Sequence, residues 1–349
     1  MTLQDVLRTE QLQEAVGAGQ SVLFLTERVV GKDLGRRRHR LTVGPDRFCV
    51  MGLLLADKVA IVTGAGRGLG RGEALELARQ GAAVVLNEYE EPTGQAVVDE
   101  ITAAGGQAVL VAGDVSEVEV GDRLVETALR EFGQLDALVN NAGILRDRTV
   151  VKMTPEEWDA VIKVHLRGHY TTTHAACGHW KDSKRPGAIV HTASTSGILG
   201  NFGQANYGAA KAGIAAFSTI VAQEMAKYGV RSNAIAPAAR TAMTESAYGQ
   251  IPLGDSDFDF WHPDNVAPFV AFLCSEEAAH ISGKVFGVQG DTVEIYQPFT
   301  SVAVIENDGK RWEPSQFVER VGELFEASGI VPQAEFMMTK LRYTMADRD

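Results

Sequence analysis

The chain has 349 residues, of which 45% are hydrophobic and 22% are charged, a composition typical of globular proteins with one large domain or two smaller ones. The net charge of −12 argues against a nucleic-acid-binding surface and against adhesion to anionic membranes. No apolar run is long enough to span a bilayer, and Cys49, Cys177 and Cys274 are too far apart to form a metal-binding pair. We therefore expect a cytoplasmic protein without a metal site.

Residues 1–50 differ in charge from the remainder of the chain. They contain a basic cluster at residues 36–40, whereas the chain as a whole is acidic. Acidic residues are interspersed as well, which does not fit the pattern of a transit peptide. Because Met51 lies just before the first predicted strand, we expect residues 1–50 to be an accessory extension or an over-extended reading frame.

From Lys58 onward, short apolar strands alternate with helical segments. The predicted strands are 58–63, 83–87, 107–111, 136–140, 188–192, 230–235 and 284–288. The predicted helices are 69–80, 92–104, 117–132, 154–180, 203–227 and 265–274. This alternation is typical of an α/β fold with a doubly wound parallel sheet, a Rossmann fold, which we assign to residues 51–298. Residues 299–349 are expected to form a C-terminal tail with one helix at 312–325.

A glycine-rich turn joins the first predicted strand to the first predicted helix. Backbone N–H groups and a helix N-terminus at this place can hold a pyrophosphate. A Cβ atom at the glycines would block the approach of the diphosphate or of the packed helix. The turn therefore predicts a dinucleotide site whose candidate residues are Gly64, Arg67, Gly68, Leu69 and Gly70.

Glu88 ends the second predicted strand, where a carboxylate can accept hydrogen bonds from the ribose hydroxyls of the adenosine. Its charge would repel a 2′-phosphate and so favours NAD. Arg67 favours the opposite choice, because a guanidinium in the turn can neutralise that phosphate. We predict NAD, with NADP as the alternative.

Tyr207 and Lys211 are four residues apart on a predicted helix, so their side chains share one face. A cation beside a phenol favours the phenolate and makes Tyr207 suitable as a general acid/base for the interconversion of alcohols and carbonyls. Ser194 follows the fifth predicted strand, and its hydroxyl can orient the same oxygen atom. These three residues are the predicted catalytic group.

Taken together, these motifs resemble the short-chain dehydrogenase/reductase superfamily over roughly residues 53–293. The motifs that carry the resemblance are the glycine turn, Asp114-Val115, Asn140-Asn141-Ala142-Gly143, and Ser194 with Tyr207 and Lys211. The resemblance implies that Asp114 and Val115 contact the adenine and that Asn141, Ala142 and Gly143 line the adenosine side. It further implies that Lys211 hydrogen-bonds the nicotinamide ribose and that Pro237 begins the loop along the nicotinamide and the substrate.

Segments 164–168, 200–207 and 235–237, with Met243-Thr244, are similar to the dehydrogenase domain of multifunctional enzyme type 2. That resemblance implies oxidation of (3R)-3-hydroxyacyl-CoA with NAD, and relatives of that domain include 17β-hydroxysteroid dehydrogenases. The predicted substrate loop, residues 240–263, contains Asp255, Asp257 and Asp259, which would repel the phosphates of CoA if they lay close to them.

His165 occupies the place where most members of the superfamily have an asparagine that anchors a proton-relay water. An imidazole can donate and accept a hydrogen bond, so His165 is a catalytic candidate. The alternative is a histidine that only packs between helices.

We thus predict an oxidoreductase that transfers hydride between NAD and a secondary alcohol or ketone, with a hydroxyacyl substrate. One alternative is an NADP(H)-dependent ketoreductase or hydroxysteroid dehydrogenase, and another is a non-catalytic sensor that binds a dinucleotide. The resemblance also implies a homo-oligomer in which helices 153–181 and 204–228 pack across a two-fold axis.

Overall fold

The computed structural model describes residues 53–248, 258–297 and 299–335. The predicted extension at 1–50, two of the loop aspartates (Asp255 and Asp257) and the end of the predicted tail lie outside the described residues. Among the helices that the structure describes, none is both long enough and apolar enough to cross a membrane.

A single eight-stranded sheet organises the fold, with the strand order β3-β2-β1-β4-β5-β6-β7-β8. The strands are β1 (Val59–Thr63), β2 (Ala83–Glu88), β3 (Gln107–Ala112), β4 (Ala137–Asn140), β5 (Gly187–Thr192), β6 (Val230–Pro237), β7 (Val285–Gln289) and β8 (Thr292–Tyr296). β1 to β7 pair in parallel, which confirms the predicted doubly wound α/β sheet.

The last strand, β8, is a departure from the all-parallel prediction, because it pairs antiparallel with β7. Gln289 pairs with Thr292, so that Gly290 and Asp291 form a tight hairpin turn. Gly290 has a φ of +52°, a conformation that such turns require and that glycine adopts without strain. The Gly-Asp pair between two apolar runs was the sequence signal for this hairpin.

Ten α-helices accompany the sheet in the described residues. They are α1 (Gly68–Arg79), α2 (Glu91–Ala103), α3 (Val118–Phe132), α4 (Pro155–Ile162), α5 (Gly168–Ser183), α6 (Thr195–Leu199), α7 (Ala205–Met225), α8 (Ala242–Tyr248), α9 (Ala267–Cys274) and α10 (Pro314–Ser328). Two of these, α6 and α8, were not predicted from the sequence. Both are short, and short helices give too few turns for a clear apolar periodicity.

Alternate residues of the strands point to opposite faces of the sheet and build two hydrophobic cores. Ala60 and Val62 of β1 face the core formed with α1, α2 and α9. Val59 and Ile61 face the second core, formed with α3, α5 and α7. Both faces are therefore covered, which explains why the central strands are mostly apolar and do not alternate in polarity.

The segment predicted as one helix at 154–180 is divided. It begins at a capping box in which Thr154 accepts a hydrogen bond from the backbone N–H of Glu157, and it continues through α4. A π-helical turn at Lys163–Arg167 then separates α4 from α5. Such turns insert extra backbone into a helix and frequently occur at functional sites. Here the turn contains His165.

Glu73 of α1 is completely buried, and neither of its carboxylate oxygens has a hydrogen-bond partner in the described part of the chain. Burial raises the pKa of Glu73 to about 8, while the positive charge of Lys211 opposes the rise. An acid of this kind keeps its proton in the folded state and loses it in the unfolded chain. Its contribution to stability is therefore lost as the pH rises from the ordinary glutamate value, about 4.3, to about 8.

Glu73→Gln removes this titration while keeping the size of the side chain. The melting temperature of the variant relative to the wild type should therefore rise by roughly 10 °C between pH 5 and pH 8, since three pH units correspond to about 4 kcal/mol and ~1 kcal/mol shifts Tm by about 2–4 °C in domains of this size. Glu126→Gln, at an exposed position on α3, is the matched control. A pH-independent difference, measured by calorimetry, would show that Glu73 is ionised in the folded protein.

Candidate active site

The glycine turn lies where the chain order of the sheet reverses, between β1 and β4. Gly64 has a φ of +62°, and a Cβ atom there would lie 2.8 Å from the Cα of Ala142. The side-chain amide of Asn141 donates to the backbone oxygens of Thr63 and Gly64, each at 3.1 Å. A Cβ at Gly70 would lie 2.3 Å from the backbone oxygen of Gly64. The turn and the segment after β4 therefore interlock.

This packing fits a bound dinucleotide, because it leaves backbone and no side chain at the glycines of the turn. Gly68 begins α1, whose N-terminus favours negative charge. A Cβ at Gly68 would lie 3.4 Å from the Thr241 side chain, so the loop that follows β6 and Pro237 lies over the turn. Leu69 packs against the hydrophobic core and anchors the start of the helix.

Glu88 is buried at the end of β2 and is fixed by two backbone donors. The N–H of Gly66 donates to Oε2 at 2.9 Å, and the N–H of Tyr89 donates to Oε1 at 2.8 Å. Arg67 forms an ion pair with Glu90 at 2.8 Å. The Glu88 carboxylate is therefore held in the turn. The Arg67 guanidinium, which could neutralise a 2′-phosphate, is instead paired with Glu90.

Asp114 and Val115 follow β3. Burial raises the pKa of Asp114, but hydrogen bonds from the Ser116 hydroxyl and N–H, together with Lys163, leave it below its usual range. Val115 is buried and lies against Gly168, where a Cβ would come within 2.8 Å of its side chain. The two predicted adenine-binding residues are thus held in place by the π-helical turn and the start of α5.

Tyr207 and Lys211 lie on the first two turns of α7, as the spacing predicted. The Lys211 amine is 5.5 Å from the centre of the Tyr207 ring, and it donates a hydrogen bond of 2.5 Å to the backbone oxygen of Thr192. Tyr207 is half-buried, whereas Lys211 is 2% exposed. Burial lowers the pKa of Lys211 to about 7, although the charge of Glu73 opposes this.

Ser194 caps α6, and its hydroxyl oxygen accepts a hydrogen bond of 3.1 Å from the N–H of Ser196. The helix packs closely on α7, since a Cβ at Gly208 would lie 3.1 Å from the backbone oxygen of Ser196. Gly208 directly follows Tyr207 in the chain. The structure therefore brings the turn that contains Ser194 against the helical turn that contains Tyr207.

His165 is 1% exposed, and its ring stands perpendicular to that of Tyr207 with 5.2 Å between the ring centres. Its Nε2 atom lies 2.7 Å from the backbone oxygen of Ile144 and 3.0 Å from the backbone nitrogen of the same residue, so this ring nitrogen has a partner in either tautomer. The other ring nitrogen, Nδ1, has no partner in the described residues, and its role as donor or acceptor depends on the tautomer. Burial and the charge of Lys211 lower the pKa of His165 to about 3, so the ring is neutral.

Two further buried histidines were not identified as site residues from the sequence. The Nδ1 atoms of His169 and His191 are 3.1 Å apart, and the Asn140 amide lies 3.4 Å from Nδ1 of His191. Burial lowers the pKa of both imidazoles, His191 to about 3, and Lys211 adds to the effect. The position of His191 at the end of a buried strand, just before Ser194, was the available signal.

Gly143 packs on the ring of His165, because a Cβ there would lie 2.2 Å from Cε1. The histidines do not form a metal site: in the described ranges no group of three or more His, Cys, Asp or Glu side chains is arranged to hold a metal ion. The cluster is therefore a polar but uncharged region around the Lys211 amine.

Comparison with known proteins identifies the family to which this chain belongs. Residues 58–250 match the family model of the short chain dehydrogenases. Hydroxyacyl-CoA dehydrogenase ChsB1 of Mycobacterium tuberculosis is 43% identical over 300 residues, which cover 82% of this chain and 94% of that protein. A 3-oxoacyl-[acyl-carrier-protein] reductase of Synechocystis is 42% identical, covering 68% of this chain and 98% of that protein.

Mouse peroxisomal multifunctional enzyme type 2 is 43% identical over 65% of this chain and 31% of its own length. The crystal structure of a short chain dehydrogenase from Mycobacterium avium superimposes with a TM-score of 0.73 at 41% identity, covering 81% of this chain and 99% of that one. The chain therefore belongs to the short chain dehydrogenase family and is an oxidoreductase that acts on CH–OH groups with NAD or NADP. The resemblance seen in the sequence is confirmed.

If His165 holds a water for proton transfer, a side chain that can donate and accept is needed at this position. We expect His165→Asn to retain most of the activity and His165→Leu to lower kcat by about 10- to 100-fold, less than the loss of an acid/base group itself. Because His165 is neutral with a pKa of about 3, the Asn variant should keep the pH profile of the wild type between pH 5 and 8.

His174→Leu, at an exposed position on α5, controls for the loss of a histidine outside the buried histidine cluster. Wild-type turnover in His165→Leu, measured in steady state, would indicate that the ring serves only for packing.

Proposed function

We propose that this protein is an NAD-dependent dehydrogenase of secondary alcohols whose substrate is a (3R)-3-hydroxyacyl thioester. The observation that carries the proposal is the buried Lys211 amine 5.5 Å from the centre of the Tyr207 ring, beside a turn built for a dinucleotide. Support for the substrate class comes from the relatives, which include a hydroxyacyl-CoA dehydrogenase and an oxoacyl reductase.

In the proposed mechanism, Tyr207 holds and moves the proton of the substrate oxygen. The cationic amine of Lys211 stabilises the phenolate, and Ser194 orients the same substrate oxygen through its hydroxyl. In the direction of oxidation, the phenolate accepts the hydroxyl proton as the C–H bond breaks. His165 holds, through its unpartnered Nδ1 atom, a water that passes this proton towards solvent.

The nicotinamide, when bound, accepts or supplies the hydride. The residues that would hold the dinucleotide are those of the glycine turn, Glu88, the Asp114 and Asn141 segments, Lys211 and the loop after Pro237. The close packing of the turn supports this assignment, because a Cβ at Gly64 or Gly70 would clash with Ala142 or with the backbone of the turn and would displace the backbone N–H groups at the start of α1.

NAD is favoured over NADP by the arrangement at the end of β2. The Glu88 carboxylate is fixed by the N–H groups of Gly66 and Tyr89, so it cannot turn away from an added phosphate. The ion pair with Glu90 partly cancels the charge of Arg67. Repulsion of the 2′-phosphate of NADP by Glu88 therefore outweighs its attraction by Arg67.

Tyr207→Phe removes the acid/base oxygen and retains the ring. We expect kcat with a hydroxyacyl thioester to fall by at least about 100-fold, the lower end of general acid/base effects, while the affinity for NADH changes little. The affinity is measured by fluorescence titration and the rate by NADH absorbance. Near-normal turnover in this variant would contradict the proposal.

A protein that binds NADH yet turns over no member of a panel of (3R)- and (3S)-hydroxyacyl thioesters and hydroxysteroids would instead support the sensor alternative. The stereoisomer preference in the same panel tests the proposed (3R) configuration. Preferential turnover of hydroxysteroids would show that the substrate is a steroid and not an acyl thioester. The proposed hydride chemistry would be unchanged.

Glu88→Ser removes the carboxylate that would select against the 2′-phosphate. We expect the ratio of kcat/KM for NAD to that for NADP to fall by about 10- to 100-fold, the range of hydrogen bonds to a charged group. Glu91→Ser changes an exposed acid three residues away and should leave the ratio unchanged. An unchanged ratio in Glu88→Ser would place the selectivity elsewhere.

The family resemblance and the surface support a homo-oligomer. Trp158 on α4, Tyr170 on α5 and Ile220 on α7 are large apolar side chains exposed on the helices expected to pack across a two-fold axis. The described cysteines, Cys177 and Cys274, are free thiols, which supports a reducing compartment such as the cytoplasm.

A further inference from the structure

A basic loop follows β4 and borders the active site. We use this name for residues 146–152, which contain Arg146, Arg148 and Lys152 but only one acid, Asp147. The concentration of cations is unusual for a chain with a net charge of −12. None of these three cations takes part in the proposed hydride chemistry. Their function must therefore be a different one.

Hydrogen bonds attach the basic loop to the residues just before Tyr207. The Asn206 amide donates to the backbone oxygen of Arg146 at 3.0 Å, and the Gln204 amide donates to Asp147 at 2.7 Å. Gln204 also forms a β-bridge with Arg148. The loop therefore has a fixed position beside the proposed acid/base.

The charges of the loop are largely available to a ligand. Arg146, Arg148 and Lys152 are exposed, and in the described part of the chain neither Arg146 nor Lys152 has an ion pair. Arg148 lies 3.3 Å from Glu157, whose carboxylate also accepts from the N–H of Thr154 at the start of α4. Asp147 is turned inward to Gln204, so it opposes the cations only in part.

Apolar side chains lie next to these cations. Val150, Val151 and Phe202 are 74%, 90% and 77% exposed, values that are high for large apolar residues. They border a cavity of about 480 Å³ between the basic loop and the segment that leads into α7. A surface with cations and an apolar cavity in one place matches a ligand that has phosphates and an apolar chain.

We propose that the basic loop and this cavity bind the coenzyme A portion of the substrate. The phosphates of coenzyme A contact Arg146, Arg148 and Lys152, and the pantetheine chain passes over Val150, Val151 and Phe202 towards Tyr207. This inference rests on the proposed acyl thioester substrate. We choose coenzyme A and not a carrier protein because three cations beside a cavity of about 480 Å³ match the several phosphate charges and the narrow pantetheine chain of coenzyme A.

The acidic substrate loop presents no obstacle in the described residues. Asp259, expected from the sequence to repel the phosphates of CoA, forms an ion pair with Arg240 and accepts a hydrogen bond from the N–H of Trp261. Its charge is therefore compensated within the protein. The prediction of repulsion by Asp259 thus loses its physical basis.

The test compares two thioesters of the same hydroxyacyl group, one with coenzyme A and one with N-acetylcysteamine, which lacks the phosphates. In Arg146→Glu/Lys152→Glu we expect kcat/KM for the coenzyme A thioester to fall by about 10- to 100-fold, through KM, because attraction becomes repulsion. The value for the N-acetylcysteamine thioester should change by less than about 2-fold. Added salt should weaken the wild-type preference for the coenzyme A thioester.

Arg130→Glu is the matched control, since Arg130 is an exposed arginine near the end of α3, away from the basic loop in the sequence. Equal losses for both thioesters would overturn the proposal, because the cations would then act on the active site itself. The acyl-carrier-protein thioester of the same hydroxyacyl group is a third substrate for the variant. A loss of activity confined to this thioester would also overturn the proposal and would assign the loop to a carrier protein.

Calorimetric titration with free coenzyme A separates this inference from the proposed function. If the wild type turns over neither thioester, the proposed function fails, but weaker binding of coenzyme A to Arg146→Glu/Lys152→Glu would still support the binding surface. Equal binding by the two proteins would overturn it. Circular dichroism spectra of the variant establish that it is folded.

Discussion

The burial of one amine beside one phenol is the constraint on which the rest of the site depends. Lys211 is 2% exposed and keeps a hydrogen bond to the backbone of Thr192 at the end of β5. Removing an ammonium group from water is costly unless opposite charge or hydrogen bonds compensate. The carbonyl of Thr192 supplies part of this compensation, and an ionised Tyr207 would supply more. The chemistry and the stability of the site are thus coupled.

The position of the site follows from the topology of the sheet. Reversal of the chain order between β1 and β4 opens a crevice at the carboxyl ends of the strands, where the glycine turn and the Asn141 segment meet. α7 brings Tyr207 and Lys211 to the same edge, and α6 places Ser194 against them. Each motif is separate in the sequence, and parallel strand pairing brings them together.

Local sequence patterns determined which parts of this arrangement could be predicted. The seven parallel strands are predominantly apolar, and the Tyr207–Lys211 spacing depends on helix geometry alone, so both could be predicted from the sequence. The π-helical turn at Lys163–Arg167 could not, because no residue type or spacing in this segment distinguishes a π-helical turn from a continuous α-helix. The contact between His169 and His191 depends on the pairing of α5 with β5, which residue spacing does not reveal.

Neutral histidines explain how a polar interior can surround the Lys211 amine without competing with it. A second cation near Lys211 would lower the pKa of the amine further and weaken its effect on Tyr207. Burial and the charge of Lys211 itself keep His165, His169 and His191 unprotonated. The imidazoles can still donate and accept hydrogen bonds, so proton movement near Tyr207 remains possible without a competing charge. Positive charge is placed instead on the exposed basic loop, where water screens it from the phenol.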